Sequence, residues 1–204
     1  LEEMGFKGTI VYLPNFVNLE EYKPQYAGEE NSIIYFGRLS KEKGLFTLLE
    51  AMKGLNIKLK IIGEGPSKED LKRRAFGAGS SNIEFLGYMA GEELKDEIRK
   101  SMFIILPSEW YENNPRTIIE GFALGKPAIG ARIGGIPELV KDDETGLTFQ
   151  PWNTHDLKRK ILHLLENPSE ISRMGKIARK IVSEEFNPER HYEKLMEIYK
   201  NCSK

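Results

Sequence analysis

Long apolar runs, cysteine pairs and a charge of one sign are all missing from this sequence. No stretch approaches the roughly 18 consecutive apolar residues of a membrane-spanning helix. The single cysteine, Cys202, cannot close an internal disulfide and cannot build a cysteine metal cluster, which fits a reducing compartment better than secretion. Thirty basic side chains face thirty-one acidic ones, a formal net charge of -1. No overall field therefore draws nucleic acid or an anionic membrane, and any anion site must be local. The first residues, Leu1-Glu2-Glu3-Met4, lack the basic-then-apolar order of a signal peptide, so the expectation is a soluble, cytoplasmic chain. Leu1 to Gly5 reads as the end of a helix stopped by Gly5, which suggests a piece of a longer protein. No internal repeat and no low-complexity segment interrupts the chain.

At 204 residues the chain suits one large domain with a substantial core. Apolar runs rich in β-branched residues lie at 9–13, 32–36, 57–62, 82–86, 102–106 and 127–130. Helical periodicity follows at 44–54, 67–76, 91–100 and 116–124. This alternation predicts an α/β fold, a Rossmann-like doubly wound parallel sheet of about six strands with helices on both faces. From 154 to 202 the pattern is helical throughout, punctuated at Asn167-Pro168 and Asn187-Pro188, so three helices close the chain. His155, His163 and His191 all fall in this tail, away from the loops beyond the strands, and read as surface histidines rather than bases.

Ligands of doubly wound sheets settle beyond the carboxyl ends of the strands, so the loops there matter most. After Ile33-Ile34-Tyr35-Phe36 comes Gly37-Arg38-Leu39-Ser40-Lys41-Glu42-Lys43-Gly44. Its cations before a helix start can hold a diphosphate, although charge alone favours a solvated turn. After Leu59-Lys60-Ile61-Ile62 stands Gly63-Glu64-Gly65-Pro66-Ser67. Its glycines allow close approach of a ligand, yet a tight turn capped by Ser67 accounts for them equally well. It also lacks the third glycine of a dinucleotide fingerprint. Phe85-Leu86-Gly87-Tyr88-Met89 carries the same two readings. The sharpest loop runs from Pro107-Ser108 through Glu109-Trp110-Tyr111-Glu112-Asn113-Asn114-Pro115-Arg116-Thr117 to Glu120. With Pro115 as first helical residue, the amides of Arg116 and Thr117 would point out of the helix start toward a phosphate. Glu112 and Glu120 could then meet a ligand at its two ends. Spacing alone leaves both open to being ordinary solvated acids.

Taken in order, these segments resemble glycosyltransferase family 4. The resemblance rests on Pro14-Asn15-Phe16-Val17-Asn18, Gly37-Arg38-Leu39 with Lys43-Gly44, Gly63-Glu64-Gly65-Pro66 and Phe85-Leu86-Gly87. It continues in Pro107-Ser108, Glu120 to Pro127, Gly134-Gly135-Ile136-Pro137-Glu138-Leu139-Val140 and Thr145-Gly146-Leu147. The match covers about 10 to 200 and is to the donor-binding C-terminal half of a GT-B enzyme with retaining chemistry.

The resemblance implies that Arg38 and Lys43 neutralise the donor diphosphate, that Glu112 binds hydroxyls of the transferred sugar, and that Glu120 binds the ribose. It makes Glu112, Arg38 and Lys43 the catalytic set. Further donor contacts would come from Gly37, Gly63, Gly65, Gly87, Tyr88, Asn114, Arg116 and Thr117. No Asp-x-Asp triplet occurs, and Asp142-Asp143 lacks the intervening residue, so no metal and no cofactor is expected. The expected partners are a nucleotide-sugar donor and an N-terminal acceptor domain of the same full-length protein, with no nucleic acid. The resemblance allows an acceptor at a membrane periphery, met through that domain. Residues 1–30 would form the interdomain linker and first strand, and 187–204 a crossover helix. Tyr192, Leu195, Met196 and Tyr199, at helical spacing, would pack either on the missing domain or on the chain's own core. Asn113-Asn114-Pro115-Arg116 departs from the Gly-Phe-Gly-Leu-like sequence common at this place, and Arg116 would face solvent or an acid on donor or acceptor. Other functions carried by the same scaffold are a sugar-nucleotide epimerase or hydrolase, or a non-catalytic binding module.

Overall fold

The β-branched runs become six parallel strands. The computed structural model describes Gly5 and residues 10–77 and 82–202. The strands are β1 (Ser32–Phe36), β2 (Lys58–Ile62), β3 (Ile83–Gly87), β4 (Ile104–Leu106), β5 (Ala128–Ala131) and β6 (Gly146–Phe149). They lie in the order β3-β2-β1-β4-β5-β6. Every ladder is parallel, with β1 and β2 in register from Ser32 opposite Lys58 to Phe36 opposite Ile62. Every residue of β1 is buried, as a central strand covered on both faces demands. Ile33, Ile34, Leu59, Ile61, Ile104, Ile105 and Ile129 form the middle of the core.

Helices return the chain between strands: α1 (Leu45–Ala51), α2 (Lys68–Gly77), α3 (Gly91–Lys100), α4 (Arg116–Ala123) and the short α5 (Ile136–Leu139). The tail supplies α6 (Thr154–Glu166), α7 (Pro168–Glu185) and α8 (Pro188–Cys202). Local chemistry sets their ends. The Asn153 side chain accepts the Asp156 amide at 2.9 Å and caps α6, while Pro168 opens α7 where its missing N–H costs nothing. α7 comes close enough to the turn before β5 that a Cβ on Gly175 would lie 2.1 Å from the Gly125 carbonyl oxygen.

Some expectations change. Residues 10–13 form no strand, and Thr9 lies outside the described residues. The sixth strand is instead Gly146–Phe149, which pairs with β5 at the edge of the sheet. Apolarity alone does not make a strand at 9–13, because an extended run needs a neighbouring edge to satisfy its amides. Helix α1 ends at Ala51, earlier than 54. The helix-end reading of Leu1 to Met4 falls outside the described residues. Among the described residues no helix is long and apolar enough to cross a membrane.

Two lysines are buried in this framework, Lys60 and Lys126. Lys60, within β2, is 3% exposed and meets Glu30 at 2.7 Å and Glu97 at 2.6 Å. Burial pulls its pKa down, but the two carboxylates outweigh this and hold it above the ordinary value.

Candidate functional site

Strand order reverses at β1. The chain runs outward through β2 and β3, then crosses to the other side of β1 with β4. The crevice outside the carboxyl ends of the strands at such a reversal is where open α/β sheets hold ligands. A cavity of about 620 Å³ opens there. The loops after β1, β2 and β3 contribute Gly37, Arg38, Gly63 and Tyr88 to its wall, and α4 contributes Thr117 and Glu120.

Glycines let the three loops stand this close. A Cβ on Gly63 would lie 1.9 Å from the Gly37 carbonyl oxygen, and its φ of +140° suits glycine alone. The Gly37 amide donates to Ile62, and the Gly63 amide donates to Gly87 at 2.7 Å. A Cβ on Gly65 would meet the Leu39 carbonyl oxygen at 2.3 Å. These glycines were expected to admit a ligand; what Gly63 and Gly65 admit is the neighbouring loop. Gly65 and Gly87 do not line the cavity.

Arg38 is exposed on the loop that Tyr35 supports from below. The Tyr35 hydroxyl donates to the Arg38 carbonyl at 2.7 Å. Burial, with the charges of Glu112 and Glu42 nearby, drives the Tyr35 pKa upward, so it remains a donor at any working pH. Among the described residues the Arg38 guanidinium forms no ion pair.

Lys43 and Glu112 do not line the cavity and meet each other instead, with Lys43 Nζ 2.5 Å from Glu112 Oε1. Ser108 Oγ donates to the same oxygen at 2.8 Å. Backbone packing fixes both partners. A Cβ on Gly44, whose φ is +69°, would fall 1.8 Å from the Pro107 carbonyl oxygen, so the turn after Lys43 lies directly on the β4 loop. On the other side the Gly135 amide donates to the Glu112 carbonyl at 2.6 Å, and a Cβ on Gly134 would strike the same oxygen at 2.5 Å.

Helix α4 begins at Arg116, with Pro115 extended at the N-cap (φ -70°, ψ 111°) instead of inside the first turn. Pro115 therefore removes no helical amide. The amides of Arg116 and Thr117 have no acceptor among the described residues and point out of the helix start. Arg116, expected to face solvent or a ligand acid, does face solvent, its side chain 62% exposed, and its Nη2 stands 3.2 Å from Glu120 Oε1 in its own helix. Burial raises the Glu120 pKa, while Arg116 and Lys95 hold it down in part.

Asn114 is a correction. Its side chain was expected at the donor, but it is 8% exposed and turned to the N-terminal segment. Its Oδ1 accepts the Asn15 amide at 2.8 Å, and its Nδ2 donates to the Tyr12 hydroxyl at 2.9 Å. His191, in turn, takes a structural place, its Nδ1 lying 2.9 Å from the Pro14 carbonyl and its ring 4.4 Å from that of Phe16.

Residues that carried no motif complete the cavity. Tyr22 and Glu21 reach it from the 3₁₀ turn at Leu19–Glu21 and its end, and Leu94 and Lys95 from α3. Lys95 Nζ lies 4.6 Å above the Tyr22 ring and donates to the Glu21 carbonyl at 2.8 Å. Burial, then the Glu120 charge, pushes the Tyr22 pKa up to about 12. Only the i, i+4 spacing of Leu94 and Ile98 on α3 hinted at this wall in the sequence.

The doubly wound parallel sheet with a cavity at its strand reversal, edged by Arg38, Thr117 and Glu120, defines a Rossmann-like α/β domain. Residues 19–181 match the glycosyl transferases group 1 family, and the chain belongs to it. It is 29% identical over 98% of its length to an uncharacterized glycosyltransferase of Methanocaldococcus jannaschii, of which it covers 56%. It is 30% identical over 80% of its length to a sulfoquinovosyl transferase of Arabidopsis thaliana, of which it covers 34%. Among solved structures, sucrose-phosphate synthase from Thermosynechococcus elongatus superposes with a TM-score of 0.86 at 24% identity, covering 96% of this chain and 53% of that one. Anabaena HepE, in complex with UDP and glucose, superposes with 0.82 at 21% identity, covering 96% and 56%. The chain spans about half the length of these relatives or less.

Proposed function

We propose that this chain is the donor-binding half of a retaining, metal-independent glycosyltransferase of family 4, and that it holds a nucleotide-diphosphate sugar. The observation that carries this reading is the cavity beyond β1 to β3, which gathers Arg38, Thr117 and Glu120 at the strand reversal.

A sugar nucleotide joins its sugar ring to the distal phosphate through one oxygen, so the groups gripping the two must be neighbours. Lys43 and Glu112 are neighbours at 2.5 Å, which suits Lys43 for the phosphate and Glu112 for the sugar hydroxyls. Arg38 shares the diphosphate with Lys43, and the amides of Arg116 and Thr117 cap its distal oxygens. Glu120, inside the cavity, takes the ribose hydroxyls.

In the reaction the bond between the anomeric carbon and the phosphate oxygen breaks, and the nucleoside diphosphate leaves with the electron pair. Fixed cations and amides stabilise that growing charge better than water does. Arg38 and Lys43 supply the charge that a divalent metal supplies elsewhere. The acceptor hydroxyl, held by a second domain, bonds to the anomeric carbon and gives its proton to the departing phosphate, and closure of that domain excludes water. The chain by itself therefore binds donor and transfers little.

Titration calorimetry with UDP, GDP and ADP tests the reading, with UDP first because the fold is shared with a protein solved with UDP and glucose. Binding of one nucleotide, weakened about tenfold or more by Glu120→Gln, is the expected result. No binding of any of the three overturns the donor site. Release of free sugar or an epimer without acceptor replaces transfer with hydrolysis or epimerisation.

A further inference from the structure

Arg116 is an unusual residue for its place, since a cation at the first turn of a helix opposes the macrodipole. An exposed ion pair with Glu120 one turn on is worth little by itself. Here, however, the pair has a third member from a remote part of the chain. The Tyr22 hydroxyl, carried on the N-terminal segment, feels the charges of both Arg116 and Glu120. Tyr22 is 9% exposed, and the Glu120 side chain 21%. Arg116 does not line the cavity, whereas Tyr22 and Glu120 both do.

The guanidinium, outside the cavity and largely exposed, holds one oxygen of Glu120, Oε1, at 3.2 Å. Oε2 carries no hydrogen bond among the described residues. A carboxylate held on one oxygen by a planar donor is fixed in rotation, and its second oxygen then has a set direction.

We propose that Arg116 is a positioning residue for nucleotide recognition, paired with Glu120 so that Glu120 presents an oriented carboxylate to the ribose hydroxyls. The inference rests on the donor reading above and adds to it a discriminator of ribose from deoxyribose. Arg116 on its own helix and Lys95 on α3 act on Glu120, while Glu21, the Tyr22 hydroxyl, Arg38 and Glu64 line the same cavity from the N-terminal segment and the loops after β1 and β2. Of these, Arg116 is the one bonded to the carboxylate. Burial works to protonate Glu120, and Arg116 is the largest opposing influence. Without it the carboxylate takes up its proton at higher pH and is free to turn.

Two measurements on the intact chain test this. The first needs no ligand and follows the Glu120 side-chain carboxyl carbon by 13C NMR against pH. Its titration midpoint should rise in Arg116→Leu, return partway in Arg116→Lys, and move upward by less in Tyr22→Phe. An unmoved midpoint in Arg116→Leu overturns the positioning role whether or not any nucleotide binds.

The second is calorimetry with UDP, GDP and ADP beside their 2′-deoxy forms at pH 5.5 to 8. In the wild type the ribonucleotide should bind about tenfold more tightly than its deoxy form, and Arg116→Leu should bring that ratio close to one while leaving the deoxy affinity unchanged. Equal losses for both forms make Arg116 a direct phosphate ligand and overturn the proposal. A shifted NMR midpoint in a chain that binds none of the nucleotides removes the donor reading, and the ribose role with it.

Discussion

Lys126 is wholly buried at the entry to β5, and its Nζ has no hydrogen-bond partner among the described residues. Burial depresses its pKa to about 8, with Glu29 offsetting part of the effect. Its ordinary value is 10.5, so the unfolded chain binds the proton more tightly than the folded one. Stability is therefore highest above about 10.5, falls as the pH drops toward 8, and stays lowered beneath that. A tenfold loss of proton affinity corresponds to about 1.4 kcal/mol, which makes the penalty at neutral pH about 3 kcal/mol. Lys126→Met keeps the length and removes the charge. Urea unfolding at pH 7 should show it more stable than wild type by about 1–3 kcal/mol, with the gain shrinking as the pH is raised to 10. A less stable variant at pH 7 would show that the ammonium is satisfied in solution.

Among the elements, the loop between β4 and α4 is the most heavily constrained. Gly134 and Gly135 press on the backbone of Glu112 and Asn113, Gly44 presses on Pro107, and Asn114 ties the same loop to Tyr12 and Asn15. The N-terminal segment is thereby fastened to the loop that carries Glu112. Asn114→Ala removes two of these hydrogen bonds and leaves the Asn15 amide without its acceptor. The expected cost is about 1–3 kcal/mol in denaturant unfolding, with faster hydrogen exchange at the Asn15 amide. Unchanged exchange there would show that the clamp is not closed in solution.

Much of this element-scale picture is visible in the chain itself. The buried strands are legible because β-branched runs at 32–36, 57–62 and 127–130 have few other uses. Gly146–Phe149 is not, since a four-residue strand of mixed polarity has no periodicity, and its place comes from pairing with β5. Arg38, Thr117 and Glu120 are legible as site residues through their order along the chain. Tyr22 and Lys95 are not, because neither belongs to a motif and only folding brings them to Glu120. Asn114 misleads for the same reason: its partners, Tyr12 and Asn15, are about a hundred residues away.

At the scale of the whole molecule, α8 stands apart. Among its described side chains none is completely buried, and its Tyr192 is 62% exposed. Its anchors are His191, at Pro14 and Phe16, and the Phe186 carbonyl just before it, which accepts the Val17 amide at 3.0 Å. The N-terminal segment and the start of the tail thus lie side by side. Truncation after Asn187 should lower unfolding stability by less than about 2 kcal/mol, since little apolar area is lost. A larger loss in denaturant unfolding would mean that the helix packs more tightly on this chain than its exposure indicates.

The sequence by itself determined the layer order, the covered parallel sheet and the strand-end loops as the place for chemistry, because hydrophobic period and turn residues act locally. It also determined which charged side chains stand on those loops. The tertiary structure decided which distant ones meet. Lys43 faces Glu112, and Asn114 is turned toward Tyr12. Those pairings are set by how close glycine lets one loop come to the next, a distance that no stretch of sequence carries alone.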